Sequence, residues 1–461
     1  MDRKLYHKEI KVAQLAGSVS EESAYHHGEA SLQEAIIGMA QIFVGTNNIN
    51  ILNPNGQFGT RINGGNDSGA PRYIFTVLSK LTKLIFKEED NDILNYLNED
   101  GVSIEPEFYI PIIPMILVNG SIGIGTGYST NIPQFNPEDI INIYLEICDN
   151  IKSNIGKILN EEDIEKVLIL IGGKEIKKIN PYYLGFKGDI YLNEKNNYTS
   201  RGIYKWINNT TLEISELPIG TWTENYKEYL EELIIKNNQY LKSFDSHYTS
   251  KNVKFVLNLT ENAKEELGEK IVNEFNLISN KNLSLNNLHL FTTKGNIKKY
   301  ENIEEILKEW CFTRIYKYQV RKESQLNKME LEYLVSSSKI RFILDVISEN
   351  IKIMNIKMSE IEKQLHEKDY YKYEDSYDYL LRMPISQLTN EKKEHLEKEV
   401  AKLKLDIDEL KDTSIIDIWE NELKLLLEEW IKHKNDILED YENDSKGEIK
   451  KITKKQTSKN K

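Results

Sequence analysis

Residues 302–334 read NIEEILKEWCFTRIYKYQVRKESQLNKMELEYL, an amphipathic stretch with no glycine or proline to end a helix. A second such stretch runs from about 389 to 435. In it Leu396, Val400, Leu403, Ile407 and Leu410 alternate spacings of four and three, the pattern of a coiled-coil seam. Two long helices that enclose a shorter segment predict an antiparallel coiled coil with a knob at its tip.

With 461 residues, the chain exceeds the size at which single cores stop growing. Residues 1–135 are rich in Gly, Asn and Pro, with short helical runs such as SLQEAIIGMAQIF between loops, a composition suited to holding a site. From 136 to 300, β-like runs (KVLILIGG, TTLEISELP, KNVKFVLNL) alternate with acidic helical pieces such as YKEYLEELIIK, which predicts an α+β domain. Residues 301–440 carry the long helices, and the Lys-rich end, 441–461, reads as a disordered tail. The fold class is therefore α+β and multidomain.

Bulk properties exclude some functions. Cys148 and Cys311 are the only cysteines, too few for a disulfide framework or a cysteine-based zinc site, and they fit a reducing compartment. No apolar run is long enough to span a bilayer, and the opening MDRKLYHKEIKVAQ lacks the pattern of a secretory signal. A net charge of −13 weighs mildly against a nucleic-acid partner, although a local basic patch can outweigh the total.

Three stretches of the first section each set a polar donor or nucleophile beside glycine: AYHHGEASL (24–32), NGQFGTR (55–61) and SGAPRYIFT (68–76). Taken singly, His26 and His27 read as loop residues and Tyr73 as a packing residue at the start of an apolar helical run. HHGE, with Glu29, lacks the i, i+4 histidine spacing of a zinc protease. Gly56 and Gly59 allow close backbone approach to a ligand or simply form a turn, while Gln57 and Arg61 offer donors suited to phosphate oxygens. The glycines of NGSIGIGTGYS do not form a dinucleotide loop, because two prolines follow where that motif opens a helix. They leave Ile124 displayed between glycines, either as a buried hairpin tip or as a wedge of the kind that separates base steps.

Read together, KVAQLAGSV, YHHGE, AQIFVGTNNINILNPNGQFGTR, PRYIFT, YIPIIPMILVNG, GIGTGY, TTLEISELPIGTWT and YDYLLRMPISQLTNEKKEHL resemble the DNA-cleavage core of eukaryotic-type type IIA DNA topoisomerases, in the family's order over roughly residues 8 to 430. The resemblance implies a winged-helix domain over 1–135, an α/β tower over 136–300, and over 301–440 a coiled coil ending in a helical C-gate through which the chain homodimerises. It implies that Tyr73 attacks a DNA phosphodiester and holds it as a 5′-phosphotyrosyl ester while a second duplex passes. A free phenol is mostly protonated at neutral pH, so Arg72 beside it would stabilise the phenolate and the charge on the transition state. Pro71 would fix φ on the approach to a helix whose N-terminus helps hold phosphate. His27 matches a histidine near the scissile phosphate and Ile124 the isoleucine that bends the gate DNA. Gln57, Arg61, His26 and Lys11 complete the expected contacts to double-stranded DNA.

The family also uses Mg²⁺ and ATP. Its ATPase module and its metal-binding TOPRIM module, with the carboxylates that hold magnesium, have no match in this sequence, so no metal ligand is expected here. Asp406 to Asp408 lie on a coiled-coil helix and read as a solvated face. Asn63 and Asn66 depart from the His and Lys of relatives, which would weaken some phosphate contacts. The expectation is a breakage and reunion subunit that works with a separate ATPase/TOPRIM subunit, or the same region of a longer chain. It would act with DNA inside the cell, in the nucleus or, for a bacterial or viral source, in the cytoplasm or viral factory. The competing class is a catalytically silent DNA-bridging scaffold, against which the retained Arg72, Tyr73 and His27 argue.

Overall fold

The computed structural model describes residues 8–158, 160–193, 197–384 and 390–459. Strand β1 (Ile10–Lys11) leads into α1 (Val12–Glu22), and α2 (Glu29–Ala40) packs across it. Val12, Leu15 and Ala16 on one helix and Ile36, Ile37 and Ala40 on the other, at helical spacing, close over Leu52, Phe58 and Ile74. β2 (Leu52–Asn55) and β3 (Phe75–Leu78) complete an antiparallel sheet of order β1-β3-β2. Then α3 (Lys80–Ile85) begins where the Ser79 hydroxyl accepts from the Thr82 amide. The run after Tyr73, expected to be helical, is therefore a strand first. Phe75, Thr76 and Val77 are aromatic or β-branched, and Phe75 faces out while Thr76 faces in.

After a 3₁₀ turn, Glu88–Ile93, come the hairpin of β4 (Tyr96–Glu99) and β5 (Val102–Pro106), the short α4 (Met115–Val118), and a second hairpin of β6 (Ser121–Ile124) and β7 (Ser129–Ile132). α5 (Pro137–Asn154), capped by Asn136, buries Ile140, Ile141, Tyr144, Ile147, Cys148 and Ile151 in the largest core. α6 (Glu161–Gly173) contains KVLILIGG, whose composition predicts a strand. Asn160 caps it at the Asp163 amide, three acidic residues fill its first turn, and only Ile164, Val167 and Ile171, a helical stripe, are buried.

The middle of the chain holds β8 (Asp189–Leu192), β9 (Tyr198–Arg201), β10 (Ile203–Trp206), β11 (Thr211–Glu216), α7 (Thr223–Ile235), β12 (Leu241–Ser246) and β13 (Phe255–Leu259), followed by α8 (Ala263–Leu267), α9 (Ile271–Glu274), β14 (Ile278–Ser279), β15 (His289–Phe291) and β16 (Ile297–Lys299). β10-β11-β13-β12 form an antiparallel sheet, and α7 closes its core of Leu212, Ile214, Tyr226, Leu230, Phe255 and Leu257. TTLEISELP and KNVKFVLNL form strands, in keeping with their alternation.

α10 (Ile303–Ile347) is a single helix of 45 residues. α11 (Met358–Glu367) and α12 (Asp378–Leu381) gather a small separate core of Phe342, Ile351, Ile361, Leu365, Tyr370, Tyr377 and Leu380. The last run of the resemblance passes through 385–389, which lie outside the described residues. α13 (Asn390–Asp412) packs along α10 with Leu396 and Ile407 buried and Val400, Leu403 and Leu410 half-buried, so the heptad stripe is its least exposed side.

The second long helix is not continuous to 435. It breaks at Thr413 and Ser414, where the Ser414 hydroxyl accepts from the amides of Ile158 and Ile416. Lys322 Nζ on α10 donates to the carbonyls of Lys411 (2.9 Å) and Thr413 (2.7 Å), capping α13. α14 (Ile415–Lys459) then returns to the main core through Ile416, Trp419, Leu423, Leu426 and Trp430. Its backbone stays helical through the segment expected to be a disordered tail, since Lys and Glu readily prolong a helix already nucleated. Tyr441 is buried and Asp444 accepts from Asn252 at 2.8 Å, while 460–461 lie outside the described residues.

Candidate functional site

Tyr73 stands on a turn just ahead of β3, its amide donating to the Ala70 carbonyl at 2.9 Å. The first amides of a helix lack partners within it, and α1 directs two of its own to this turn: Val12 to the Ile74 carbonyl and Ala13 to that of Pro71, both at 3.1 Å. On the other side β2 pairs Asn55 with Phe75. Ile74 is 3% exposed, plugged into the core of the first section, and Tyr73 one residue earlier is 69% exposed. The Arg72 guanidinium carbon lies 4.9 Å from the centre of the Tyr73 ring. The turn thus presents a phenol to solvent with a cation against it. No helix starts at Pro71, so the expected helix N-terminus is not there, and the amides of Val12, Ala13 and Tyr73 are taken up by carbonyls of the turn.

The loop before the turn is closed on itself. Gly69 donates to the Gln57 carbonyl at 2.8 Å and Gly65 to that of Thr60 at 2.9 Å, while Asp67 accepts from the Thr60 amide (2.8 Å) and hydroxyl (2.6 Å). Gln57 is exposed on this loop, free to meet a ligand. Arg61 corrects an expectation. It is 4% exposed and ion-paired with Glu216, itself 1% exposed, so its guanidinium is not offered to DNA.

His27 is exposed between α1 and α2, edge-on to Tyr25 with ring centres 5.5 Å apart. His26, also exposed, has its Nε2 2.8 Å from Glu99 on β4, so it already has an acidic partner. Lys11, half-buried on β1, pairs in register with Phe75, and its ammonium lies 5.8 Å from that ring. The sheet therefore sets Lys11 against Phe75, two residues beyond the paired Arg72 and Tyr73. Ile124 stands apart on the β6–β7 hairpin, whose tip is closed by Gly125 donating to Tyr128 at 2.8 Å. It is 93% exposed, and Ile122, on the same face two residues back, is 62% exposed. Of the two roles open to it, a displayed wedge and a buried tip, this exposure excludes the second.

Sequence reasoning passes over the residues that hold these pieces in place. Asn48 donates to the carbonyls of Val118 (3.0 Å), Phe135 and Tyr182 (both 3.1 Å) and accepts from the Leu184 amide (2.8 Å). Asn119 exchanges a reciprocal pair of bonds with the Ile49 backbone. The only sequence signal is an asparagine-rich run, NNINILNPN, amid apolar residues. Magnesium-assisted phosphoryl transfer needs converging carboxylates. Among the described residues no three His, Cys, Asp or Glu side chains converge to hold an ion. Asp67 is engaged by Thr60, and Glu29 is exposed and accepts from Gln33 at 2.7 Å. This residue set does not fit such an ion.

The model of the DNA gyrase/topoisomerase IV A-subunit family matches residues 1–424. DNA topoisomerase 2 of Arabidopsis thaliana is 38% identical over 468 residues, covering 92% of this chain and 30% of that protein. DNA topoisomerase 2 of Plasmodium falciparum is 39% identical over 451 residues, covering 89% and 30%. The chain thus spans about 30% of the length of these relatives. The crystal structure of the Plasmodium falciparum topoisomerase II DNA-binding, cleavage and re-ligation domain superposes with a TM-score of 0.81 at 37% identity, over 95% of this chain and 60% of that one.

Proposed function

The chain belongs to the DNA gyrase/topoisomerase IV A-subunit family, and from that membership we propose that it is the DNA breakage and reunion part of an ATP-dependent type II DNA topoisomerase. The observation that carries this reading is the exposed Tyr73 on a turn anchored from both sides, with Arg72 against its ring. The Tyr73 Oη gives up its proton and attacks a backbone phosphorus of double-stranded DNA. An oxygen–phosphorus bond forms, the bond to the 3′ oxygen breaks, and that oxygen takes up a proton and leaves as a 3′-hydroxyl. The 5′-phosphotyrosyl ester keeps the bond energy, so the reverse attack reseals the strand after a second duplex has passed. Arg72 stabilises the charge that builds on the phosphoryl oxygens, and His27 donates to the same phosphate. Ile124 wedges into the duplex and bends it.

Mg²⁺ and ATP are assigned to an ATPase and TOPRIM module on a partner chain or region, and no step above is routed through them. A second copy of the chain is the other partner. The small core around α11 and α12 displays Ile347, Met354 and Met358 to solvent and serves as the C-gate contact. No helix among the described residues is long and apolar enough to cross a membrane. The site of action is wherever the DNA is, the nucleus or, for a bacterial or viral source, the cytoplasm or viral factory.

The test combines the chain with the metal-bearing module, Mg²⁺ and DNA, and traps the covalent adduct with denaturant. Tyr73→Phe is expected to abolish the adduct and leave DNA binding nearly intact. Arg72→Ala lowers the rate of adduct formation by about 10²-fold, as expected for a group whose main contribution is in the transition state. An adduct at the wild-type level in Tyr73→Phe overturns the assignment of the nucleophile, and no adduct from the wild type while DNA is still bound favours the silent scaffold.

A further inference from the structure

We propose that Glu216 and Trp222, which lie more than a hundred residues beyond Tyr73, are positioning residues that set the geometry of the cleavage turn. This deepens the functional reading above and rests on it for its catalytic consequence. Glu216, the last residue of β11, is fixed by three donors. Its carboxylate is ion-paired with Arg61 and accepts from the amides of Leu217 (2.9 Å) and Lys187 (3.2 Å). Burial of both members of the pair, with these added donors, gives the carboxylate a single well-defined position.

Trp222 makes a second, independent attachment. It is the N-cap residue of α7, and the next two amides of that helix donate to the loop: Thr223 to the Arg61 carbonyl (3.4 Å) and Glu224 to that of Ile62 (3.0 Å). Its indole fills space left by absent side chains. A β-carbon at Gly45 would lie 3.2 Å from the ring, and one at Gly64 would overlap it. Both glycines have positive φ, at 93° and 61°, so a side chain is disfavoured there by the backbone as well. Phe43 meets the same ring edge-on at 6.0 Å.

From these two anchors the contacts run to the nucleophile without a gap. Arg61 and Ile62 follow Thr60, which is locked to Asp67 and to Gly65. Phe58 bridges Ser68, and Gln57 holds Gly69, whose β-carbon position lies 3.1 Å from Ile74. Ala70 then accepts from Tyr73. A shift of the β10–β13 sheet unit therefore moves the phenol relative to bound DNA.

The experiment uses Glu216→Asp, which keeps the charge but retracts the carboxylate by one methylene, and Trp222→Phe, which shrinks the ring. Two quantities are read: hydrogen exchange across 57–73, and the rate of covalent adduct formation at saturating DNA with the metal-bearing module present. Protection across 57–73 is expected to fall while β11 and β13 stay protected. The adduct rate is expected to drop about 10- to 100-fold, the size of effect a 1 Å misplacement produces, with the DNA concentration for half saturation unchanged. If Glu216→Asp does not fold, Trp222→Phe carries the test. Unchanged protection, or lost protection with a wild-type adduct rate, overturns the proposal. If the wild type itself forms no Tyr73-dependent adduct, the functional reading fails, and the exchange measurement still decides whether the two anchors hold the turn.

Discussion

Arg314, with no exposed surface, donates from Nη1 to the Asp90 carboxylate at 2.8 Å and to the Ile110 carbonyl at the same distance. Arg321 reaches the other Asp90 oxygen at 3.4 Å and Glu422 on α14 at 2.7 Å, and Tyr318 donates to that glutamate at 2.6 Å. Asp90 lies on the 3₁₀ turn, so this network fastens the long helix α10 to the section that carries the Tyr73 turn. Removing Asp90 takes the carboxylate from the fully buried Arg314 and leaves Arg321 with Glu422 alone. Asp90→Ala is expected to cost about 3–5 kcal/mol, read as a lower urea midpoint of the chain. A midpoint equal to that of the wild type would mean that water replaces the carboxylate.

Ile124 carries no packing role that its removal would damage, because nearly all of its surface is open. Ile124→Ala should fold normally and bend DNA less, since the wedge offsets an unstacking cost of about a few kcal/mol per base step. Fluorescence transfer between dyes on the two duplex ends measures the bend. An equal bend in both proteins removes Ile124 from the DNA contact.

At the far end of α10, Met354 is 80% exposed beside the small core of α11 and α12. Met354→Asp is expected to weaken self-association in sedimentation without lowering the melting temperature. A dimer of unchanged strength places the interface elsewhere on the chain.

His433 on α14 packs against Trp430, and burial holds its pKa below the usual histidine value, the opposing pull of Asp436 and Glu429 being smaller. The folded chain therefore binds this proton less readily than the unfolded chain. Stability is highest above the unfolded pKa of about 6.5 and falls as pH drops toward the depressed folded value. His433→Gln should flatten the decline in melting temperature between pH 7.5 and 5.5, and a slope identical to the wild type would assign the decline to other groups.

Features set by local sequence are legible in it: the unbroken helix after Asn302, the pairing of Arg72 with Tyr73, and the glycine-flanked display of Ile124. Features set by distant partners are not. Arg61 reads as a phosphate donor because its true partner, Glu216, lies 155 residues away. KVLILIGG reads as a strand by composition, yet the cap and acidic first turn ahead of it decide for the helix, with Ile169 left 78% exposed on the outer face. The break at Ser414 depends on the Ile158 amide, which belongs to a loop 256 residues earlier.

The Lys322 clamp on the last carbonyls of α13 gives the molecule a fulcrum. Burial lowers the pKa of this lysine, yet its ammonium holds two carbonyls where α13 turns into α14, while α10 runs through the same point without a break. Because α10 is unbroken there, any tilt of the arm beyond Lys322 requires that helix to bend at the clamp. The 25 helical residues between Lys322 and Ile347 span about 37 Å, so each 10° of tilt at the clamp carries the tip through roughly 6 Å.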